Sequence, residues 1–155
     1  MDVFANSSGL AALAMAELKH LGIEVFGGII LEPYVGGLSV RTVETALNMG
    51  YGNGTGARFI SLPCHHTRFV AESEGRDPDY VESCLSIPTK GPLSDPLGEI
   101  MDCIAANDVV FNTGHLTGEE TIRVVEEANK RGVRQILCPA SYFTAEEAKE
   151  IVSLG

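Results

Sequence analysis

Short apolar runs alternate along this chain with segments that carry apolar residues every three or four positions. Continuous apolar runs of this length are typical of strands that are buried on both faces of a parallel sheet. Four such runs predict strands, at residues 23–31, 57–62, 109–112 and 133–138.

The segments around these strands predict amphipathic helices with recognisable starts. Thr117 and Thr144 each precede a glutamate by three residues, which is the spacing of a capping box. Asp95 places an N-cap ahead of a proline. Helices are therefore predicted to begin near Ser8, Ser39, Asp95, Thr117 and Thr144.

Strict alternation of helix and strand predicts a single α/β domain over residues 1–155, with a parallel sheet and right-handed crossovers. Two arrangements of the sheet remain open, an open doubly wound sheet and a part of a (β/α)8 barrel. A full barrel takes about 250 residues. Four strands in 155 residues correspond to half of one, so the domain is interpreted as a segment of a larger barrel.

Two connections between the predicted elements are unusual. Residues 67–94 form a long polar stretch with three prolines, and a loop of that length is expected to cover a functional site. The glycine-rich residues 50–56 follow a helix and lead into a strand. Phosphate loops have the opposite order, so a flexible connector is predicted there.

Composition narrows the choice of partners and of compartment. A formal net charge of −10 disfavours nucleic acid as a partner, because binding phosphates requires a clustered basic surface. No run approaches the roughly 20 apolar residues of a membrane span, so no membrane partner is expected. The cysteines are widely spaced, and free thiols in a reducing cytoplasm are the interpretation that fits them. They are Cys64, Cys84, Cys103 and Cys138.

Histidines follow two of the predicted strands. His65 and His66 come after the second strand, and His115 lies between the third strand and a capped helix. Ligands and catalytic groups of α/β folds gather at the carboxyl ends of strands. Adjacent side chains in an extended segment point to opposite sides, so one of His65 and His66 is expected to face the site, with a slight preference for His66. The predicted catalytic residues are His115 and His66.

Imidazoles from separate strand ends suit a divalent metal, with zinc as the first choice and manganese or iron as alternatives. Glu32, at the end of the first strand, is the candidate carboxylate ligand. The predicted metal ligands are thus His115, His66, His65 and Glu32. Such an ion lowers the pKa of bound water and generates hydroxide for attack on an amide, ester or lactone.

Two other chemistries remain open at the strand ends. Cys64 and Cys138 also end strands, and either one beside a histidine would form a nucleophilic pair. Gly36 and Gly37 lie between a strand and a helix, so their amides are candidates for holding a phosphate or an oxyanion.

Several segments together resemble a poorly characterised family of amidohydrolase-related proteins. The resemblance covers nearly the whole chain from residue 20 onward. The segments are residues 25–31 (VFGGIIL), 35–47 (VGGLSVRTVETAL), 59–63 (FISLP) and 112–120 (NTGHLTGEE).

The resemblance implies a (β/α)8 barrel of the metal-dependent hydrolase kind, of which this chain would cover about strands three to six. His115 matches the Gly-His-Leu position of that family, and His65 or His66 lies near its polar positions after the proline. The chain departs from the family in having no His-x-His motif and in having Cys138 where a histidine is expected. Glu32 likewise stands where an amide side chain is expected.

These observations lead to an expected function and to two alternatives. The expected function is metal-dependent hydrolysis of a small amide, ester or cyclic substrate by this chain or by a larger protein that contains it. The alternatives are a non-catalytic partial barrel that completes its fold by association, and a phosphate-binding α/β domain. The expected partners are a small-molecule substrate and either a second copy of the chain or the rest of a barrel.

Overall fold

Helices and strands alternate in the computed structural model, which describes residues 6–49 and 56–155. No helix within these ranges is long and apolar enough to cross a bilayer. The elements are α1 (Ser8–Leu18), β1 (Gly28–Ile30), α2 (Val40–Asn48), β2 (Phe59–Ser61), α3 (Arg68–Ser73), α4 (Pro78–Ser83), α5 (Asp95–Asn107), β3 (Val110–Asn112), α6 (Gly118–Lys130), β4 (Ile136–Leu137) and α7 (Ala145–Ser153).

The four strands form one parallel sheet in the order β1-β2-β3-β4. Ile29 lies opposite Ile60, Ile60 opposite Phe111, and Phe111 opposite Ile136. The predicted α/β class and parallel pairing are therefore confirmed. Doubly wound sheets reverse their strand order at a switch point. The four described strands show no such reversal.

The hydrophobic core lies on one face of the sheet. Successive strand residues point to opposite faces, and the paired core residues Ile29, Ile60 and Phe111 share one of them. Leu97, Ile100 and Ile104 of α5 cover this face and are almost fully buried. Sequential strand order with right-handed crossovers places the connecting helices on the same side.

The second face of the sheet is less covered. Phe59 and Val110 are half-buried there, and Leu137 on β4 is 49% exposed. Phe59 and Val110, together with Gly28 and Gln135, line an open cavity of about 450 Å³. This apolar surface lies on the side that faces the lumen when parallel strands close into a barrel.

The predicted helix starts are mostly confirmed. Thr117 forms a capping box with Glu120, and Thr144 forms one with Glu147. In each box the threonine side chain accepts from the backbone amide of the glutamate, and the glutamate side chain accepts from the backbone amide of the threonine. Ser39 accepts from the amide of Thr42. The N-cap predicted at Asp95 is wrong by one residue, because Asp95 is already helical and Ser94 is the N-cap.

All four predicted strands are longer than the observed ones, and the difference is largest at the first and the last. The run at residues 23–31 pairs with β2 as a strand only over Gly28–Ile30, although the carbonyl oxygen of Gly27 still accepts from the amide of Arg58 at 2.8 Å. Phe26 in that segment is 58% exposed. Similarly, the run at residues 133–138 is strand only at Ile136–Leu137.

Residues 67–94 are not an unstructured loop, as the proline content had suggested. They contain α3, which begins after the cap Thr67, and α4, which begins at Pro78. A proline at the first helical position favours a helix start, which explains how a proline-rich stretch carries a helix. The predicted connector at residues 50–56 lies outside the described residues except for Gly56.

Candidate functional site

The carboxylate of Glu32 holds the segment that carries two of the histidines. Glu32 follows β1 and is only 1% exposed. Its Oε1 accepts from the amides of Cys64 at 2.9 Å and His65 at 2.7 Å, and its Oε2 accepts from the amide of His66 at 3.1 Å. Three amides on one carboxylate fix the path of the chain after β2. Glu32 therefore positions the histidine segment.

His65 and His115 lie side by side at the carboxyl end of the sheet. Their ring centroids are 6.2 Å apart with the planes inclined at 69°. The amide of His115 donates to the carbonyl oxygen of Pro63 at 3.2 Å, which ties the loop after β3 to the loop after β2. His65 is exposed and His115 is half-buried. The structure thus brings together two imidazoles from adjacent strand ends.

A tyrosine that sequence reasoning did not identify completes this cluster. Tyr142 comes from the turn after β4, and its ring centroid is 4.8 Å from that of His115. Its Oη is 3.5 Å from Nδ1 of His115. Phe69 of α3 packs edge-on against the same tyrosine, with 5.6 Å between ring centroids. The sequence did contain one indication of this role: Tyr142 follows a strand, as His65 and His115 do.

His66 lies in a different environment from His65. Its ring is 5.4 Å from that of Tyr80, and its Nε2 is 3.4 Å from Oγ of Ser83. Together with Gly37 it lines an open cavity of about 380 Å³. The two adjacent histidines diverge as expected, but the one beside His115 is His65, whereas the sequence slightly favoured His66.

A complete metal-ligand set is not assembled among residues 6–49 and 56–155, where no three His, Cys, Asp or Glu side chains form a group that could hold an ion. Both carboxylate oxygens of Glu32 already accept from backbone amides. The assignment of zinc, manganese or iron therefore stays a prediction.

The nucleophilic cysteine pair finds little support in the surroundings of the thiols. Cys64 is buried and lies against the hydroxyl of Ser61 at 3.9 Å. Burial raises the pKa of the Cys138 thiol. A raised pKa disfavours the thiolate, which is the nucleophilic form.

The amides of Gly36 and Gly37 are already used within their own turn. The Gly36 amide donates to the carbonyl of Pro33 at 3.1 Å, and the Gly37 amide donates to the carbonyl of Glu32 at 3.0 Å. In this conformation the pair does not point its N–H groups at a ligand. The phosphate-binding alternative therefore loses the donors on which it was based.

Comparison with known proteins gives a family for the chain. No curated protein and no solved structure is significantly similar to it. A family model described as Family of unknown function (DUF6282) matches residues 1–155, and the chain belongs to this family.

Proposed function

We propose that this chain carries part of the active site of a metal-dependent hydrolase that acts on a small amide, ester or cyclic substrate. The observation that carries the proposal is the pair His65 and His115, whose rings lie 6.2 Å apart at the ends of adjacent parallel strands. Imidazole serves both as a metal ligand and as a general acid or base near neutral pH. The exposure of His65 leaves the pair accessible to a small molecule.

In this proposal the residues around the pair have distinct tasks. Glu32 orients the loop that carries His65 through its three amide contacts. His115 is anchored by its own amide on Pro63. Held in this way, the two rings keep a fixed separation, which is what acid–base chemistry or ligation of one ion requires.

The proposed metal takes two nitrogen ligands from this chain. A catalytic zinc site has three protein ligands and an open position, so the proposal requires a third ligand from outside the described residues or from another chain. A divalent ion bound there would lower the pKa of its water towards neutrality and polarise the substrate carbonyl.

We further propose that the four-stranded sheet is a segment of a (β/α)8 barrel. Sequential order of parallel strands, with a helix-covered hydrophobic cluster on one face of the sheet, agrees with that architecture. β4 is an edge strand, and the second face carries the half-buried Phe59 and Val110 beside the exposed Leu137. A second copy of the chain, or the rest of a barrel, would cover this edge and this face.

A non-catalytic barrel segment that completes its fold by association is the second candidate. The apolar second face favours it, and so does the two-ligand limit within the described residues. The two candidates differ in what His65 and His115 do after the barrel is complete. Only the hydrolase requires both imidazoles for turnover.

A hydrolysis assay with matched histidine variants tests the proposed function. The protein, loaded with zinc or manganese, is incubated with small amides, esters and lactones. We expect at least one substrate to be hydrolysed, with a rate about 10²–10⁴-fold lower in His65→Gln and His115→Gln, because each removes a ligand or acid–base group. His20→Gln is the control, because His20 is exposed and its Nδ1 contacts the carbonyl oxygen of Glu17, remote in sequence from the strand ends.

Two results would contradict the hydrolase. One is equal turnover in His115→Gln and in the unchanged protein. The other is no turnover of any of the three substrate classes by a protein whose solution mass corresponds to more than one chain. That second result would favour the non-catalytic barrel segment.

A further inference from the structure

Tyr142 is an aromatic neighbour of the proposed catalytic pair that sequence reasoning did not assign. Its ring lies between Phe69 and His115, with centroid distances of 5.6 Å and 4.8 Å. These two contacts place the phenolic oxygen 3.5 Å from Nδ1 of His115. The hydroxyl is thus held at one specific nitrogen of the imidazole.

A neutral imidazole carries its proton on either Nδ1 or Nε2, and the hydrogen bond at one nitrogen decides which. A phenolic hydroxyl can donate or accept. If it donated to Nδ1, the proton of His115 would be on Nε2, and that nitrogen could neither ligate a metal nor accept a proton. If it accepts from Nδ1–H, the lone pair is on Nε2.

We propose that Tyr142 is a positioning residue that accepts the Nδ1–H of His115 and thereby keeps the lone pair on Nε2. This inference rests on the proposed function, since a ligand or base requires that lone pair. Metal-binding histidines commonly donate their other N–H to such a partner, and loss of the partner weakens metal binding. Tyr142 contributes from the end of β4, next to the contributions of β2 and β3.

The variant Tyr142→Phe tests the inference because it removes only the hydroxyl. The phenylalanine ring keeps its packing against Phe69 and His115. Tyr80→Phe is the matched control, since Tyr80 lies beside His66 with 5.4 Å between ring centroids. The readout is the nitrogen-15 NMR spectrum of the imidazoles in metal-free protein, assigned with single His→Gln variants.

In the unchanged protein we expect His115 as the Nδ1–H tautomer at a pH where the ring is neutral. In Tyr142→Phe we expect it to revert largely to Nε2–H, the form that a neutral histidine favours in water. Tyr80→Phe should leave the tautomer of His115 unchanged. Zinc affinity, titrated separately, should fall about 10- to 100-fold in Tyr142→Phe.

An Nε2–H tautomer in the unchanged protein, or an Nδ1–H tautomer that survives in Tyr142→Phe, would overturn the inference. Neither result would affect the hydrolase assay with His65→Gln and His115→Gln. Conversely, an unchanged protein that binds no zinc would contradict the proposed function, while the tautomer would still decide the role of Tyr142. The two failures are therefore distinguishable.

Discussion

Replacing Glu32 by alanine is expected to lower the free energy of unfolding by about 3–5 kcal/mol. The carboxylate is 1% exposed and accepts from the amides of Cys64, His65 and His66. An alanine leaves these donors without their acceptor in a site that water reaches poorly. An unsatisfied buried donor costs about 1–3 kcal/mol, and more where its partner was charged.

Chemical unfolding of the unchanged protein, Glu32→Ala and Glu24→Ala measures this effect. Glu24 is exposed in the segment before β1, so its loss should change stability by less than about 0.5 kcal/mol. The stability loss of Glu32→Gln should fall between those of Glu32→Ala and Glu24→Ala. A carboxamide keeps one acceptor oxygen, but its N–H₂ group would face a backbone N–H donor. A change below about 1 kcal/mol in Glu32→Ala would show that the segment holds its path without the carboxylate.

Replacing Gly114 by alanine is expected to lower the free energy of unfolding by about 3 kcal/mol or more. Gly114 precedes His115 and has φ of +69°, in the left-handed region that favours glycine. A Cβ at this position would overlap the carbonyl oxygen of Pro63, the same oxygen that accepts from the His115 amide. The loop would have to move, and the separation of the two histidine rings would change with it.

Gly132→Ala is the matched control for this prediction. Gly132 also has positive φ, +81°, but a Cβ there would have no heavy atom within 4 Å. Gly132→Ala should lower the free energy of unfolding by only about 1–2 kcal/mol, the cost of a left-handed backbone conformation in alanine. Thermal unfolding of both variants separates the overlap from the conformational strain. Equal losses would mean that the contact between Gly114 and Pro63 relaxes without cost.

Local sequence signals predicted the order of the elements well. The capping boxes at Thr117 and Thr144 depend on residues three positions apart, so a short window contains the whole motif. Strand limits were less predictable, because pairing ends where a neighbouring strand ends. Residues 23–27 are mostly apolar but are not a strand, and sequence alone does not show where pairing with β2 begins.

The candidate site was predictable only in part, for a similar reason. His65, His66 and His115 were identified because they follow strands, and strand ends meet at one edge of a parallel sheet. Which of the adjacent histidines turns towards His115 depends on the loop conformation that Glu32 imposes. The carboxylate contacts amides more than thirty positions away, a separation that no local pattern encodes. Tyr142 was missed because its contact with His115 is also tertiary.

The measurement that tests the central claim most directly is the metal content of protein purified without a chelator. Elemental analysis compares the unchanged protein with His65→Gln, His115→Gln and His66→Gln. We expect about one transition-metal ion per chain in the unchanged protein and in His66→Gln. The two variants of the proposed pair should lose the ion, because His65 and His115 are its ligands. Absence of metal from the unchanged protein, or metal retained in His115→Gln, would contradict the account.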